Sequence, residues 1–370
     1  MNDSQDMNTE PKIYEIGNPW EKKVYRHMAD FLQSKGVLKF GATSEGNQYK
    51  HWLTEEEAHF NFITPDIHNR TLARFDNHKA GDLKRILTNT AASQPFCFNL
   101  IIFLQQHSAL ANKLFSNLLD KQVNVIHLEP EFTPNECNSV IGFERTTENE
   151  SIGDQGNKRG TDSDIAVFYI YDNDKKGVLL IEFKFIEPEF SVCSSYAGSK
   201  KKKNETADEK QQRIKRNKDR QAICNSNNYY VKMVETKKSL CGYNKYFNWD
   251  LTSKSKVIDG EKVKSISISA CPFRFGLNQL WRNMILAEQV ALSRQCDEFG
   301  FWVFSPSEND HYLWKNGVTE KQFREILTQQ GNDHFKKVHL ENIFDKLHDI
   351  VSDEQENIWL TNMETKYRIS

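Results

Sequence analysis

The stretch RGTDSDIAVFYIYDNDKKGVLLIEFKFIEPEF, residues 159–190, sets charged side chains inside runs of Val, Ile, Leu, Phe and Tyr. Asp164 opens the first run, and Glu182 and Lys184 interrupt the second. Burying an unpaired charge is expensive, so charges in strands of this kind need partners or a task. Side chains alternate faces along a strand. Glu182 and Lys184 therefore share one face, and Ile181, Phe183 and Phe185 share the other. The polar DNDKKG between the runs reads as the turn of an antiparallel hairpin, which carries Asp164 toward the face of Glu182. Two carboxylates and one ammonium then converge beside an apolar sheet.

A hard cation such as Mg²⁺ takes carboxylate and phosphate oxygens and keeps several waters. Asp164, Glu182 and the backbone carbonyl of Phe183 are the candidate ligands for Mg²⁺, with Mn²⁺ as its substitute. An ion held there would polarise a phosphodiester oxygen and generate hydroxide from water. Lys184 would orient that water or stabilise the charge developing on the attacked phosphate. The alternative is a solvated sheet face with Asp164 in a turn, but the flanking VLLI and Phe185 argue for a central strand. Asp162 has the same strand parity and stays open as a substitute ligand; Asp164 is preferred because IAVFYI begins directly after it.

A second polar set lies downstream. FGLNQLWRNMILAEQVALSR reads as a helix with Leu277, Leu280, Trp281 and Met284 on one face. Gln279, Arg282 and Asn283 stand at i, i+3 and i+4 and share another. That stripe either faces the metal site and touches a phosphate or the attacking water, or it is a solvated helix face. Lys158 and Arg159, in GDQGNKRG, are candidate phosphate contacts or parts of an ordinary hairpin loop. The segment SKKKKNETADEKQQRIKRNKDRQ holds ten basic and four acidic residues. It can neutralise DNA phosphates or simply stay solvated. With almost no apolar residue to bury, 199–221 is expected to be a poorly packed excursion.

The elements that must position these residues follow from periodicity. NPWEKKVYRHMADFLQSKG predicts an amphipathic helix through Trp20, Val24, Met28 and Leu32 that ends at Gly36. Residues 37–80 show no clear period. From residue 81 to 120 the pattern is helical, with Pro95 starting a new helix or bending the old one. NVIHLEPEF and SVIGFER read as short strands, and FGFWVFS as a buried one. The tail from about 318 reads as helices carrying FREIL and IFDKLHDIV, and there is no internal repeat. The order helix, strand, strand, strand, insertion, helix, strand predicts an α/β (α+β) fold, a mixed central sheet flanked by helices. Residues 1–80 are expected to form an N-terminal helical or irregular extension, 81–305 the core with an insertion at about 187–270, and 306–370 a C-terminal helical extension packed on that core.

This order, with Asp164, the E-F-K triplet 18 residues on and the QLWRN helix, resembles the PD-(D/E)XK nuclease superfamily, the restriction-endonuclease-like fold. SQPFCFNL, GFER, RGTDSDIAV, IEFK and QLWRN together suggest a bacterial branch of nuclease-like proteins, over roughly residues 80–305. The resemblance implies a Mg²⁺-dependent endonuclease that hydrolyses DNA phosphodiester bonds in restriction, defence or repair. It casts Asp164 as the acid of the second core strand, Glu182 and Lys184 as the E-x-K of the third, and Gln279 as the helix glutamine. It also implies a further glutamate from a helix or the first strand, for which Glu144 in GFER is the candidate, with Gln94 in SQPF a weaker one from the preceding helix. Ser163-Asp164 stands where the pattern has Pro-Asp. Cutting both strands implies two active sites, hence a homodimer. Two other readings stay open, a nucleic-acid-binding module without catalysis on the same fold and a protein-interaction scaffold.

Composition bounds the rest. Net charge is −2, so no global field attracts a polyanion and any nucleic-acid surface must be a local patch. Seven scattered cysteines with no Cys-x-x-Cys pair fit reduced thiols in a cytosol and argue against an iron–sulfur cluster. The start lacks a basic region followed by an apolar run, and no stretch reaches about 18 apolar residues, so a cytoplasmic protein without a membrane span is expected. The motifs G-x-x-x-x-G-K-[ST], H-E-x-x-H and G-x-S-x-G are missing, so no nucleotide cofactor is expected.

Overall fold

Five strands in the order β3-β4-β5-β6-β7 form the central sheet of the computed structural model, which describes residues 11–42, 46–77, 82–134, 140–146, 162–201, 204–235 and 247–369. They are β3 (Asn124–Phe132), β4 (Ser163–Tyr171), β5 (Lys175–Phe183), β6 (Glu298–Ser305) and β7 (Phe335–His339); β1 (Phe40–Ala42) and β2 (Gln48–Leu53) make a separate antiparallel pair. Pairing is antiparallel from β3 to β5 and parallel from β5 to β7. The β4–β5 hairpin turns on Asp172, Asn173 and Asp174, all with positive φ. Asn and Asp tolerate that region better than other side chains, which is why DNDKKG works as a turn.

Both faces of the sheet are covered, so β4 and β5 are almost continuously apolar. On one face Ile165, Val167, Leu179, Ile181 and Phe183 pack with the Ser93–Gln106 helix. On the other, Ala166, Phe168, Val178, Leu180 and Val303 pack with the Leu277–Ser293 helix. Glu182 continues the row of Val178 and Leu180, so it ends the strand facing that second helix. Pro95 sits in the first turn of the Ser93–Gln106 helix, which starts after a break at residues 89–92.

The first and last helices among the described residues join this core. The Pro19–Ser34 helix opens with a capping box of Asn18 and Glu21 and buries Trp20, Val24 and Met28 beside Phe96 and Trp359. Trp20 Nε1 donates to the Phe185 carbonyl at 3.0 Å. In the Glu354–Tyr367 helix, Trp359 stacks on Phe103 with ring centroids 4.1 Å apart.

Two expectations are corrected. Residues 140–145 of SVIGFER form no strand; Phe143 is buried against Phe168, 5.3 Å between rings, from a turn. The tail is not wholly helical, because FKKVH forms β7, an edge strand too short and too lysine-rich for apolar alternation to reveal. Within the basic segment, expected to be poorly packed, stands an 18-residue helix, Ala207–Cys224, capped by Thr206 and Glu209. It does bury little, with only Cys224 fully covered.

Candidate active site

Strand parity and the crossover helix meet at the C-terminal end of β5. Glu182 is 3 % exposed and Lys184 7 %. Lys184 Nζ lies 2.7 Å from Glu182 Oε1, which also accepts from Gln279 Nε2 at 2.6 Å. Glu182 Oε2 accepts from Asn283 Nδ2 at 2.7 Å. Gln279 is itself held by Ser191, whose N–H donates to Oε1 at 3.0 Å. The Lys184 N–H bonds to the Phe304 carbonyl at 2.8 Å, extending the β5–β6 pairing past the strand end.

Asp164 reaches the same place from β4. Its Oδ2 accepts from the Phe183 N–H at 2.7 Å. The N–H and C=O of one strand residue point to the same side, so the Phe183 carbonyl also turns toward Asp164. Asp162 stands just ahead of β4 and accepts from Thr133 Oγ1 at 3.4 Å.

A further carboxylate joins them. Glu131, 5 % exposed, lies on β3 between Pro130, paired with Ile165, and Phe132, paired with Ser163. That register sets it opposite Asp164. Its φ of 50° is the left-handed region, a strained conformation for a residue with a side chain. Gln94 Nε2, from the first turn of the Ser93–Gln106 helix, donates to Glu131 Oε1 at 2.7 Å. Arg74 clamps this stretch of β3, with Nε 2.7 Å from Glu129 Oε1 and Nη2 bonded to the carbonyls of Pro130 and Glu131.

Electrostatics follow from burial and crowding. Burial first, then the charges of Glu182 and Glu131, push the Asp164 carboxyl well above the usual range, against the pull of Lys184 and the Phe183 amide. Burial likewise raises Glu131 to about 7, opposed by the Gln94 amide and reinforced by Asp162 and Glu182. For Lys184 burial works toward the neutral amine, but Glu182, Glu187 and Asp164 outweigh it and hold the ammonium charged. Glu187 is half-buried, and Lys184, Arg85 and the Phe185 amide keep its carboxyl lowered. It accepts from Arg85 Nη2 at 3.2 Å and Ser93 Oγ at 2.8 Å.

These observations sort the sequence candidates. Asp164, Glu182, Lys184, Gln279 and Asn283 come together, and Arg282 is half-buried on the same helix. Glu144 does not join them: it is exposed in the 140–146 turn, accepting from the Gly142 N–H at 2.9 Å. Lys158 and Arg159 lie outside the described residues. The first-strand glutamate at the site is Glu131, which sequence reading missed. Its signal was the E-P-E alternation in NVIHLEPEF, the same interruption of an apolar run that marks E-F-K.

The donor set suits a hard cation. Asp164, Glu182 and Glu131 offer oxygen only, and the raised Asp164 and Glu131 are carboxylates that neighbouring positive charge would ionise. Among the described residues, no three His, Cys, Asp or Glu side chains form a ready cage for an ion. Mg²⁺ does not require one, since it binds through one or two carboxylates and keeps its waters. No helix among the described residues is long and apolar enough to cross a membrane.

No curated protein and no solved structure matches this chain. A family model described as the PD-(D/E)XK nuclease superfamily matches residues 18–227 and 267–368, taking in β3 to β7, the E-F-K triplet and the QLWRN helix. The mixed sheet with helices on both faces is consistent with its restriction-endonuclease-like fold. The chain belongs to the PD-(D/E)XK nuclease superfamily.

Proposed function

We propose that this protein is a Mg²⁺-dependent endonuclease that hydrolyses phosphodiester bonds of DNA, with Mn²⁺ able to substitute. The observation that carries the reading is Glu182, a buried carboxylate fixed by Lys184, Gln279 and Asn283 beside Asp164. Nuclease-type chemistry and divalent metals are general to the superfamily. The DNA substrate is supported by a local cationic surface on a chain of almost neutral net charge, with Lys215, Arg216, Lys218 and Arg220 all exposed.

Asp164, Glu182 and the Phe183 carbonyl would hold the ion. When bound, it supplies water activation and neutralises charge on the phosphate. Gln279 and Asn283 keep the two Glu182 oxygens aimed, so the carboxylate does not reorganise during reaction. Lys184, charged and dry, is placed to donate to the attacking water or to a phosphate oxygen. Glu131, with its proton affinity near neutrality, is suited to take a proton from that water. Arg282 is the helix residue offered to a phosphate. Cutting both strands would use two copies of the site, in a homodimer.

The test is divalent-dependent nicking of supercoiled plasmid DNA by the wild type and by Glu182→Ala. Nicking that needs Mg²⁺ or Mn²⁺ and vanishes in the variant supports the reading. A wild type that leaves plasmid and single-stranded DNA intact with both ions overturns it, leaving a binding module without catalysis.

A further inference from the structure

The turn that launches the Leu277–Ser293 helix carries an aromatic ledge. Phe273 is buried and stacked on Trp281 at 4.0 Å, and the Cys193 N–H bonds to the Arg274 carbonyl at 3.2 Å, so the turn is pinned from beneath. Phe275 nonetheless stands 51 % exposed. The Arg274 guanidinium lies 5.5 Å from its ring and 5.9 Å from the ring of Tyr196, and the two rings meet edge to face at 5.2 Å.

The basic helix ends against this ledge. Gln221 donates to the Tyr196 carbonyl at 3.3 Å, the Cys271 N–H to the Cys224 carbonyl at 2.9 Å, and Arg274 Nη1 to Asn225 Oδ1. Asn217 ties the helix to Ser199, while Lys210, Lys215, Arg216, Lys218 and Arg220 stay exposed. On its other side Phe275 lines a cleft of about 1010 Å³ with apolar Ile266, Leu277 and Val318, four carboxylates and two lysines. The carboxylates outnumber the lysines, so the lining disfavours phosphate. A neutral base meets apolar walls there, with acceptors for its amino groups.

We propose that Phe275, Arg274 and the Ala207–Cys224 helix form a seat for unpaired, single-stranded DNA, the base stacking on Phe275 at the cleft mouth and the phosphates running along the lysines. Base–aromatic stacking needs an exposed base face, which a continuous duplex hides, so the seat selects single-stranded or frayed segments. The positive end of the 17-residue helix, with no acid in its first turn, adds to the pull on a phosphate. Gln279, four residues after Phe275 in the first turn of this helix, bonds to Glu182, so the ledge adjoins the helix end that reaches the site. The inference rests on the nuclease reading for its purpose, but its binding test does not.

The experiment is fluorescence anisotropy of the full chain with a short fluorescein-labelled single-stranded DNA of mixed sequence and with its duplex, both in EDTA. The wild type should bind the single strand more tightly than the duplex. Phe275→Ala should weaken single-strand binding by ~5- to ~150-fold and Phe275→Trp should retain it. Lys215→Glu with Lys218→Glu should flatten its salt dependence. Phe275 is surface-exposed, so these changes leave the core intact; circular dichroism checks that. Equal or tighter duplex binding, or Phe275→Ala binding like wild type, overturns the proposal even if plasmid nicking succeeds. Phe275-dependent single-strand preference without any cleavage upholds it while the nuclease reading fails. A Phe275-dependent dimer in ultracentrifugation, with oligonucleotide binding unchanged by Phe275→Ala, would make the ledge a contact between copies and overturn it as well.

Discussion

Asn283 and Glu182 stand 101 residues apart in the chain and meet at 2.7 Å, the side-chain amide donating to Oε2. The contact joins the crossover helix to the strand end and aims the carboxylate. Asn283 is buried, so no water can readily replace it in Asn283→Ala. Loss of a partner that orients a ligand typically costs ~10- to ~100-fold in metal affinity or activity. Calorimetric Mg²⁺ titration and plasmid nicking of Asn283→Ala should both show a loss in that range. Unchanged Mg²⁺ affinity and rate would mean that Glu182 needs no such support.

Glu131 sets a pH dependence with a definite sign. Its carboxyl is raised from 4.5 to about 7 by burial. Between those values the folded chain holds a proton that the unfolded chain has released. The stabilisation is therefore full below the unfolded value and is lost as pH rises through about 7. Denaturant melts without divalent ion should show wild type losing stability across this window relative to Glu131→Gln. Cleavage should instead rise with pH as Glu131 deprotonates, over a window that the bound ion shifts below about 7. Glu131→Gln should flatten the rise seen with Mg²⁺ bound and lower the plateau by ~10²-fold or more.

Lys366 gives the opposite slope. It is fully buried, and its Nζ bonds to both oxygens of Asn61. Burial lowers its proton affinity well below the ordinary 10.5. Below 10.5 the unfolded chain takes up a proton that the folded chain resists, so stability rises with pH in that window, by up to about 1.4 kcal/mol per unit. Urea melts at neutral pH and near pH 10 should show wild type gaining on Lys366→Met. An equal gap at both pH values would mean that the ammonium stays charged in place.

The parts legible in the sequence are those governed by local period. Glu182 and Lys184 follow from two-residue alternation, and Gln279 with Asn283 from helical spacing. The choice of Glu131 over Glu144 depended on register. Pro130 pairs with Ile165 on the edge strand, a long-range fact with no local signature, whereas the apolar Phe143 that made GFER look like a strand is buried from a turn. β7 escaped because a five-residue edge strand with Lys336 and Lys337 has no apolar alternation to detect. The basic helix did carry a signal, Thr206 and Glu209 in a capping box. Composition hid it, since a helix that buries only Cys224 shows no apolar stripe.

Lys184→Ala separates catalysis from binding. An ammonium cannot ligate a metal, so the ion's oxygen donors survive the change. Near Glu182, a lost positive charge should leave Mg²⁺ binding intact or slightly tighter. DNA binding should also hold, because Lys184 is buried and the exposed cations lie on the Ala207–Cys224 helix. What disappears is the group placed to meet charge developing on the phosphate, so the loss falls on the rate. Removing one such stabiliser costs ~10²–10³ in rate. The variant also leaves Glu182 with one donor fewer, and Lys184→Met, which keeps the side-chain volume, controls for the cavity. Single-turnover cleavage of plasmid DNA, with Mg²⁺ affinity measured by calorimetry on the same samples, should show slow chemistry on a loaded site in both variants. Glu182→Ala should instead lose Mg²⁺ affinity itself. Cleavage by Lys184→Ala at the wild-type rate would remove the E-F-K triplet from the chemistry altogether.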